Sequence, residues 1–123
     1  MPPRAINLVQ EADRRIADVW DPRVAADVND SQVKVARFGA TLDWHAHPGE
    51  DEAFPVLRGR IAIDVRDGTV ELDEGNLLCV PRGTEHRPRP LTDRPITAMV
   101  GPASTLITGD ARSDLAVADP KRL

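Results

Sequence analysis

The chain has 123 residues, 41% of them hydrophobic and 29% charged, with a formal net charge of −4, and this length fits one compact domain and excludes a second. The negative charge argues against nucleic acid as the main partner, because phosphate binding needs a net basic face. A single cysteine excludes an intrachain disulfide, and without a signal-peptide core or an apolar run that could cross a bilayer we expect a cytoplasmic protein with no membrane partner.

Residues 1–30 show no clean hydrophobic period. The Asp21-Pro22 pair interrupts any helical turn that Glu11 to Ala17 would form. We therefore expect an irregular N-terminal arm, and we look to Trp20 in this arm for a contact with a second subunit.

Residues 31–101 have the pattern of short strands separated by turn residues. The expected strands are Val33 to Phe38, the His45 segment, Phe54 to Leu57, Ile61 to Val65, Val70 to Leu72, Leu77 to Val80, a strand at His86, and Ile96 to Val100. Asp67-Gly68 is typical of a type I′ hairpin turn, which requires positive φ. This spacing predicts an all-β domain, either an antiparallel barrel or a double-sheet jelly roll.

The core of this domain must be built mainly from aliphatic side chains, because the sequence has only two Phe, two Trp and no Tyr. We expect Phe38, Phe54 and Trp44 to be its large fillers. Cys79 lies in an apolar run and is expected to be a buried, inert thiol. Residues 102–123 are polar and Ala-rich, which predicts a C-terminal tail packed on the surface or crossing to another subunit.

All three histidines of the chain fall in two short clusters. His45 and His47 are one residue apart, so on an extended strand they leave the same face with Cα atoms about 6.6 Å apart. Glu52 follows five residues later, and His86 lies 34 residues beyond it. Three imidazoles and one carboxylate suit a borderline divalent metal.

The spacing around these residues resembles both sequence motifs of the cupin superfamily. The first motif is represented by Gly39, His45, His47, Glu52 and Gly59, and the second by Gly75, Pro81, Gly83 and His86. The second motif ordinarily closes on Asn, where this chain has Pro90. The resemblance is to small single-domain bacterial cupins, including those described as similar to mannose-6-phosphate isomerase.

The resemblance implies a single cupin-type antiparallel barrel that holds one divalent ion, either Fe, Mn, Ni, Co or Zn, on His45, His47, Glu52 and His86. The spacing to Gly59 selects Glu52 over the adjacent Glu50 and Asp51, which we interpret as solvated. Four ligands leave open positions at an octahedral ion, as in catalytic sites. The glycines of the motifs are expected where the backbone has positive φ or a close neighbour.

The resemblance implies an enzyme acting on a small molecule, because members of the superfamily include dioxygenases, isomerases, cyclases, decarboxylases and lyases. We expect an oxidoreductase or isomerase; the alternatives are a non-catalytic binding or sensing module and a metal-free barrel. No catalytic group beyond the ligands can be named, although Asp64, an arginine or a metal-bound hydroxide is a candidate base. Cupins of this size commonly cover sheet edges by pairing, so we expect a homodimer.

Four arginines surround His86 in the sequence, and they have two interpretations. They are Arg82, Arg87, Arg89 and Arg94. Charged side chains mostly lie in solvent, which favours an exposed face. The alternative is that one or two of them meet an anionic substrate at the mouth of the site.

Overall fold

The computed structural model describes residues 2–104 and 120–123. One helix and eight strands occur in these ranges: α1 Leu8–Arg15, β1 Arg23–Val28, β2 Ser31–Arg37, β3 Glu52–Arg58, β4 Ile61–Val65, β5 Gly68–Leu72, β6 Leu77–Val80, β7 His86–Pro90 and β8 Ile96–Pro102. The strands form a large sheet in the order β1-β2-β8-β3-β6 and a small sheet in the order β5-β4-β7. All strand pairs are antiparallel. The predicted all-β jelly roll is confirmed.

The main core lies between the two sheets, because alternate residues of each strand point to the same side. On β3, Phe54 and Val56 are buried, and on β4 the inward residues are Ile61 and Ile63. Phe38 joins them from the end of β2. Two of the expected large fillers, Phe38 and Phe54, therefore have the predicted role.

A second, smaller core lies on the outer face of the large sheet under helix α1. Ala12 and Ile16 pack there against buried residues of β2 and β8. Asn7 begins the helix, and its side chain accepts a 3.0 Å hydrogen bond from the Gln10 backbone N–H. At the other end, Arg37 donates to the carbonyl oxygens of Ile16 and Ala12 at 2.7 and 3.2 Å.

The N-terminal 30 residues contain more regular structure than the sequence predicted. Helix α1 ends before Asp21-Pro22, and β1 begins immediately after it as a full strand of the large sheet. Neither element has a long hydrophobic period, because α1 buries a narrow stripe and β1 lies at the edge. Packing against β2, rather than local pattern, stabilises both.

Trp20 is part of the core, so the expectation of a subunit contact through this residue is wrong. Its side chain is 4% exposed, and its ring centroid lies 4.4 Å from that of Phe38. Its indole N–H donates a 2.8 Å hydrogen bond to the Ala40 carbonyl oxygen. The indole ring of Trp20 thus makes both its packing contact and its hydrogen bond within one subunit.

Two other sequence expectations about burial are also wrong. Trp44 is only partly buried and lies under the guanidinium groups of Arg66 and Arg87, at 4.0 and 4.8 Å from its ring centroid. Cys79 is exposed, because on β6 it is Val80 that faces the core. An apolar run does not imply burial on both faces when the strand lies at a sheet edge.

The hairpin between β4 and β5 is confirmed, but its turn differs from the prediction. Val65 pairs with Gly68, so the two loop residues are Arg66 and Asp67. Neither has positive φ, which excludes the expected type I′ turn.

The predicted C-terminal tail lies largely outside the described residues. Its last part, residues 120–123, runs beside β1, where Leu123 donates from its backbone N–H to the Val24 carbonyl oxygen at 2.9 Å. In the described ranges, no helix is long and apolar enough to cross a membrane.

Candidate metal centre

Backbone hydrogen bonds between the two motifs position His45 opposite His86. The His45 N–H donates to the His86 carbonyl at 3.0 Å, and the His86 N–H donates back to the His45 carbonyl at 2.8 Å. His86 begins β7, whereas His45 forms only this single bridge in an otherwise irregular segment. The predicted strand at His45 is therefore reduced to one pair of residues, which is enough to align the two rings.

His47 is held by a second link between the motifs. The backbone N–H of Gly83 donates a 2.9 Å hydrogen bond to the His47 carbonyl oxygen. Gly83 has φ +77°, a conformation that disfavours side chains with a Cβ atom. The glycine of the second motif thus allows the turn that supports a histidine of the first.

The three imidazoles converge on one point. One nitrogen from each of His45, His47 and His86 lies within 4.8 Å of the others, and all three side chains are buried. Their ring centroids are 4.4 to 5.4 Å apart. Such a group can bind a metal ion through one nitrogen of each ring.

The orientation of two of the rings shows which nitrogen is available. Nδ1 of His45 lies 2.8 Å from the Asp43 carbonyl oxygen, and Nδ1 of His86 lies 2.9 Å from that of Thr84. A carbonyl oxygen only accepts, so each Nδ1 carries the hydrogen and each Nε2 has a free electron pair. Nε2 of His86 is buried without a hydrogen-bond partner among the described residues.

Burial also keeps His86 neutral. Burial is the largest of the effects that together lower the pKa of the imidazole from 6.5 to about 4; His45 and His47 act in the same direction, and the Thr84 carbonyl and Glu52 oppose it. A neutral imidazole with an unpartnered Nε2 is the form that ligates metal ions. The chemistry of this donor set therefore fits a divalent ion.

Glu52 lies at the edge of the histidine group. It is buried, and its Oε1 atom is 3.2 Å from Nε2 of His47. Of its neighbours, Glu50 accepts a 3.0 Å hydrogen bond from the Ser104 hydroxyl and Asp51 accepts one of 2.8 Å from the Arg82 backbone. Glu52 is thus the one of these three carboxylates that contacts a histidine, while the group of converging ligand atoms consists of the three imidazoles without it.

The candidate base Asp64 lies on the opposite face of the small sheet. Val65 pairs with His86, so Asp64, the residue before Val65, points to the outer face. There it accepts hydrogen bonds from Thr69, Arg87 and Arg89 at 2.7 to 3.1 Å. These contacts, led by the one from Arg89, lower the pKa of Asp64 to about 2.

The arginines around His86 do not face the histidines either. Arg87 and Arg89 alternate with His86 on β7 and pair with Asp64 outside. Arg82 is exposed beside Asp51, and Arg94 donates to the Ala17 carbonyl oxygen. The interpretation as an exposed face holds for Arg82 and Arg94, whereas Arg87 and Arg89 are half-buried in ion pairs with Asp64.

Lys34 is a residue near the site that the sequence analysis missed. It is only 6% exposed and lies on β2 opposite Met99 of the main core. Burial lowers its pKa, an effect opposed by the charges of Glu52 and Glu50. One feature of the sequence indicates this burial. Lys34 lies two residues before Ala36 and four before Phe38, so on a strand its side chain points to the same face as these two core residues.

Comparisons with known proteins agree with this geometry. A family model described as "Cupin domain" matches residues 33–101. The uncharacterized protein YdbB of Bacillus subtilis is 45% identical over 65 residues, which make up 52% of this chain. The match spans 58% of the length of YdbB.

Two solved structures show the same fold. A cupin-2 domain containing protein from Shewanella frigidimarina is 31% identical with a TM-score of 0.74, and the match covers 79% of this chain and 93% of that chain. Protein NMB1881 from Neisseria meningitidis is 25% identical with a TM-score of 0.68, and the match covers 80% and 98%. With both motifs in place and the family model matched over more than half of its length, this chain belongs to the cupin-domain family.

Proposed function

We propose that this protein is a metal-dependent cupin enzyme that acts on a small molecule. It would hold one divalent ion, Fe, Mn, Ni, Co or Zn, through His45, His47, His86 and Glu52. The observation that carries the proposal is the buried convergence of three imidazoles, two of them oriented by backbone carbonyls. A closed structural zinc site is disfavoured, because no cysteine lies in this group.

Residues around the three histidines would keep the imidazole rings oriented for metal binding. Asp43 and Thr84 fix the tautomers of His45 and His86 through their carbonyl oxygens. Phe54 lies edge-on to His86 at 6.1 Å between ring centroids and packs against this ring. The ion would supply Lewis-acid polarisation of a carbonyl or enolate oxygen or, as Fe(II), binding of O₂. The reaction class that we propose is therefore isomerisation or oxidation.

Metal content tests this proposal directly. Protein purified without a histidine tag or added metal is measured by elemental mass spectrometry beside a His45→Ala, His86→Ala double variant. We expect close to one ion per wild-type chain and almost none in the variant. A folded wild-type chain that takes up no added divalent metal would overturn the proposal.

A turnover assay separates the enzyme from the alternative of a binding module. The metal-loaded protein is incubated with candidate small acids, and oxygen consumption and product formation are followed. Turnover that disappears in the metal-free double variant supports the enzyme. A metal-loaded protein that binds such an acid and returns it unchanged supports the binding module.

We also propose that two copies of the chain associate. Strand β6 is an edge strand of the large sheet, and Leu77 on it is 60% exposed. An edge strand with an exposed apolar residue is a common site of pairing between chains. Size-exclusion chromatography with light scattering tests this, and a single species with the mass of one chain would refute it.

A further inference from the structure

The two edges of the large sheet differ in their protection against other strands. β1 forms one edge and β6 the other. A strand edge presents backbone N–H and C=O groups that can pair with a strand of another chain, so soluble proteins blunt their edges with charges, bulges or a covering segment. β1 contains the charged residues Arg23 and Asp27, whereas the four residues of β6 are all uncharged.

The backbone of β1 is also less regular than that of β6. The register of β1 against β2 shifts between Val24 and Ala26, as at a β-bulge. β6 pairs with β3 without any shift from Leu77 to Val80. A bulge bends an edge strand and interrupts its row of pairing groups. The β1 edge thus has a second protecting feature that the β6 edge lacks.

Residues 121–123 cover the β1 edge beside this irregularity. The Val24 N–H donates a 2.9 Å hydrogen bond to the Lys121 carbonyl oxygen, and the Leu123 N–H donates one of 2.9 Å to the Val24 carbonyl oxygen. Arg122 lies beside Val24 in a parallel bridge. Both backbone groups that Val24 presents at the edge are therefore occupied by a segment of the same chain.

Two side-chain contacts hold this segment in place. Arg122 forms an ion pair with Asp27 of β1, and Leu123 packs against the outer core under helix α1. Farther along β1, Val28 is 56% exposed, and no other strand of the described ranges pairs with this side of β1. In those ranges, the cover of the edge therefore depends on the contacts of residues 121–123.

We propose that residues 121–123 are an edge cap that prevents β1 from pairing with the β1 strand of a second copy. Pairing through β6 alone joins two copies and then stops, because the same edge of each large sheet is used. Pairing through both β6 and β1 would continue from copy to copy and build an open fibre. The inference rests in part on the proposed association through β6, and it limits that association to two copies.

Substitutions that release the edge cap test this inference. Leu123→Pro removes the N–H that donates to Val24, and Arg122→Glu replaces the ion pair with Asp27 by a repulsion. In the double variant we expect about tenfold faster hydrogen exchange at the Val24 N–H, as the loss of one hydrogen bond implies. Light scattering should show a molar mass that rises above that of two chains as the concentration increases. Lys121→Glu makes the same change of charge at an exposed neighbour and should behave like the wild type.

A further substitution shows whether the larger assemblies form through β1. Val28→Lys places a charge on this edge, and when added to the double variant it should return the molar mass to that of the wild type. If the double variant does not fold, Arg122→Glu alone is compared with Arg122→Glu combined with Asp27→Arg. The combination restores an ion pair of opposite direction and should restore the wild-type mass.

The two proposals fail in different ways. A wild type with the mass of one chain overturns the association through β6, and the edge cap then predicts two chains in the double variant. A folded double variant with the wild-type mass, or with unchanged hydrogen exchange at the Val24 N–H, overturns the edge cap. Larger assemblies that persist with Val28→Lys, or that also form in the Lys121→Glu control, refute it as well, since they would involve another surface.

Discussion

The two faces of the small sheet differ sharply although they share the same strands. Inward, β7 presents His86, which belongs to the candidate metal centre, and outward it presents Arg87 and Arg89, which pair with Asp64. The inner histidine has an imidazole nitrogen without a hydrogen-bond partner among the described residues, whereas the outer carboxylate has three partners. A fully paired polar cluster serves structure, whereas a buried nitrogen such as Nε2 of His86 needs another explanation, for which a bound ligand is one candidate.

The largest effect that we expect is the loss of metal on substitution of His86, and the neighbouring Arg87 on the opposite face of β7 provides the comparison. His86→Ala removes a central ligand, so metal content should fall to below about a tenth of the wild-type value, in keeping with the cost of lost ligation. Arg87→Ala, one position along, should retain full metal content. Elemental mass spectrometry of both purified variants makes the measurement. Equal metal content in the two would place the ion elsewhere.

The inner face also carries the packing energy of the large sheet. Phe54→Ala should lower the free energy of unfolding by about 3–5 kcal/mol, because it leaves a cavity between the sheets. Leu77→Ala on the outer face of β6 should change it by less than about 0.5 kcal/mol in a single chain. Urea unfolding compares the two. A large loss in the Leu77 variant would mean that this residue is covered by another copy.

Glu52 and Asp51 provide a comparison between a buried and an exposed carboxylate. Glu52→Gln removes the anionic oxygen beside His47, and we expect metal affinity to fall by about tenfold or more. Asp51→Asn should leave the affinity unchanged, since that side chain faces solvent. Competition with a chelator of known affinity measures both variants. Similar affinities in the two would exclude Glu52 as a ligand.

The outer cluster consists of Asp64 and its partners Thr69, Arg87 and Arg89. We expect it to affect the pH dependence of stability and not the metal content. The pKa of Asp64 is about 2, below its ordinary 3.8, so its ionised form stabilises the fold above about pH 4 and loses this effect as the pH falls through 2. Asp64→Asn should cost about 1–2 kcal/mol at pH 7, a value discounted because the paired arginines are partly exposed. The difference from the wild type should shrink toward pH 2.

Unfolding by urea at pH 7 and near pH 2 checks this expectation. Asp67→Asn in the adjacent exposed turn is the matched control and should have little effect at either pH. Metal content should be unchanged in the Asp64 variant. A loss of metal there would show that the outer cluster supports the inner site after all.

The sequence by itself determined the jelly roll and the grouping of the histidines. Both depend on spacing along the chain: alternate residues share a face, turns follow glycine and proline, and the two motifs must meet for His45 to bridge His86. Spacing also selected Glu52 over its neighbours, and its role as a ligand stays a prediction. These features could be predicted from the sequence because they require only local geometry and the order of the strands.

Only the tertiary structure decided the environment of individual side chains. Trp20 is buried and Cys79 exposed because burial depends on which face of a strand is covered, and that depends on the partners a strand has in the sheet. Helix α1 and β1 are stabilised mainly by packing on β2, which local pattern does not encode. Lys34 is buried for the same reason, since pairing with β8 turns this charged residue toward the interior.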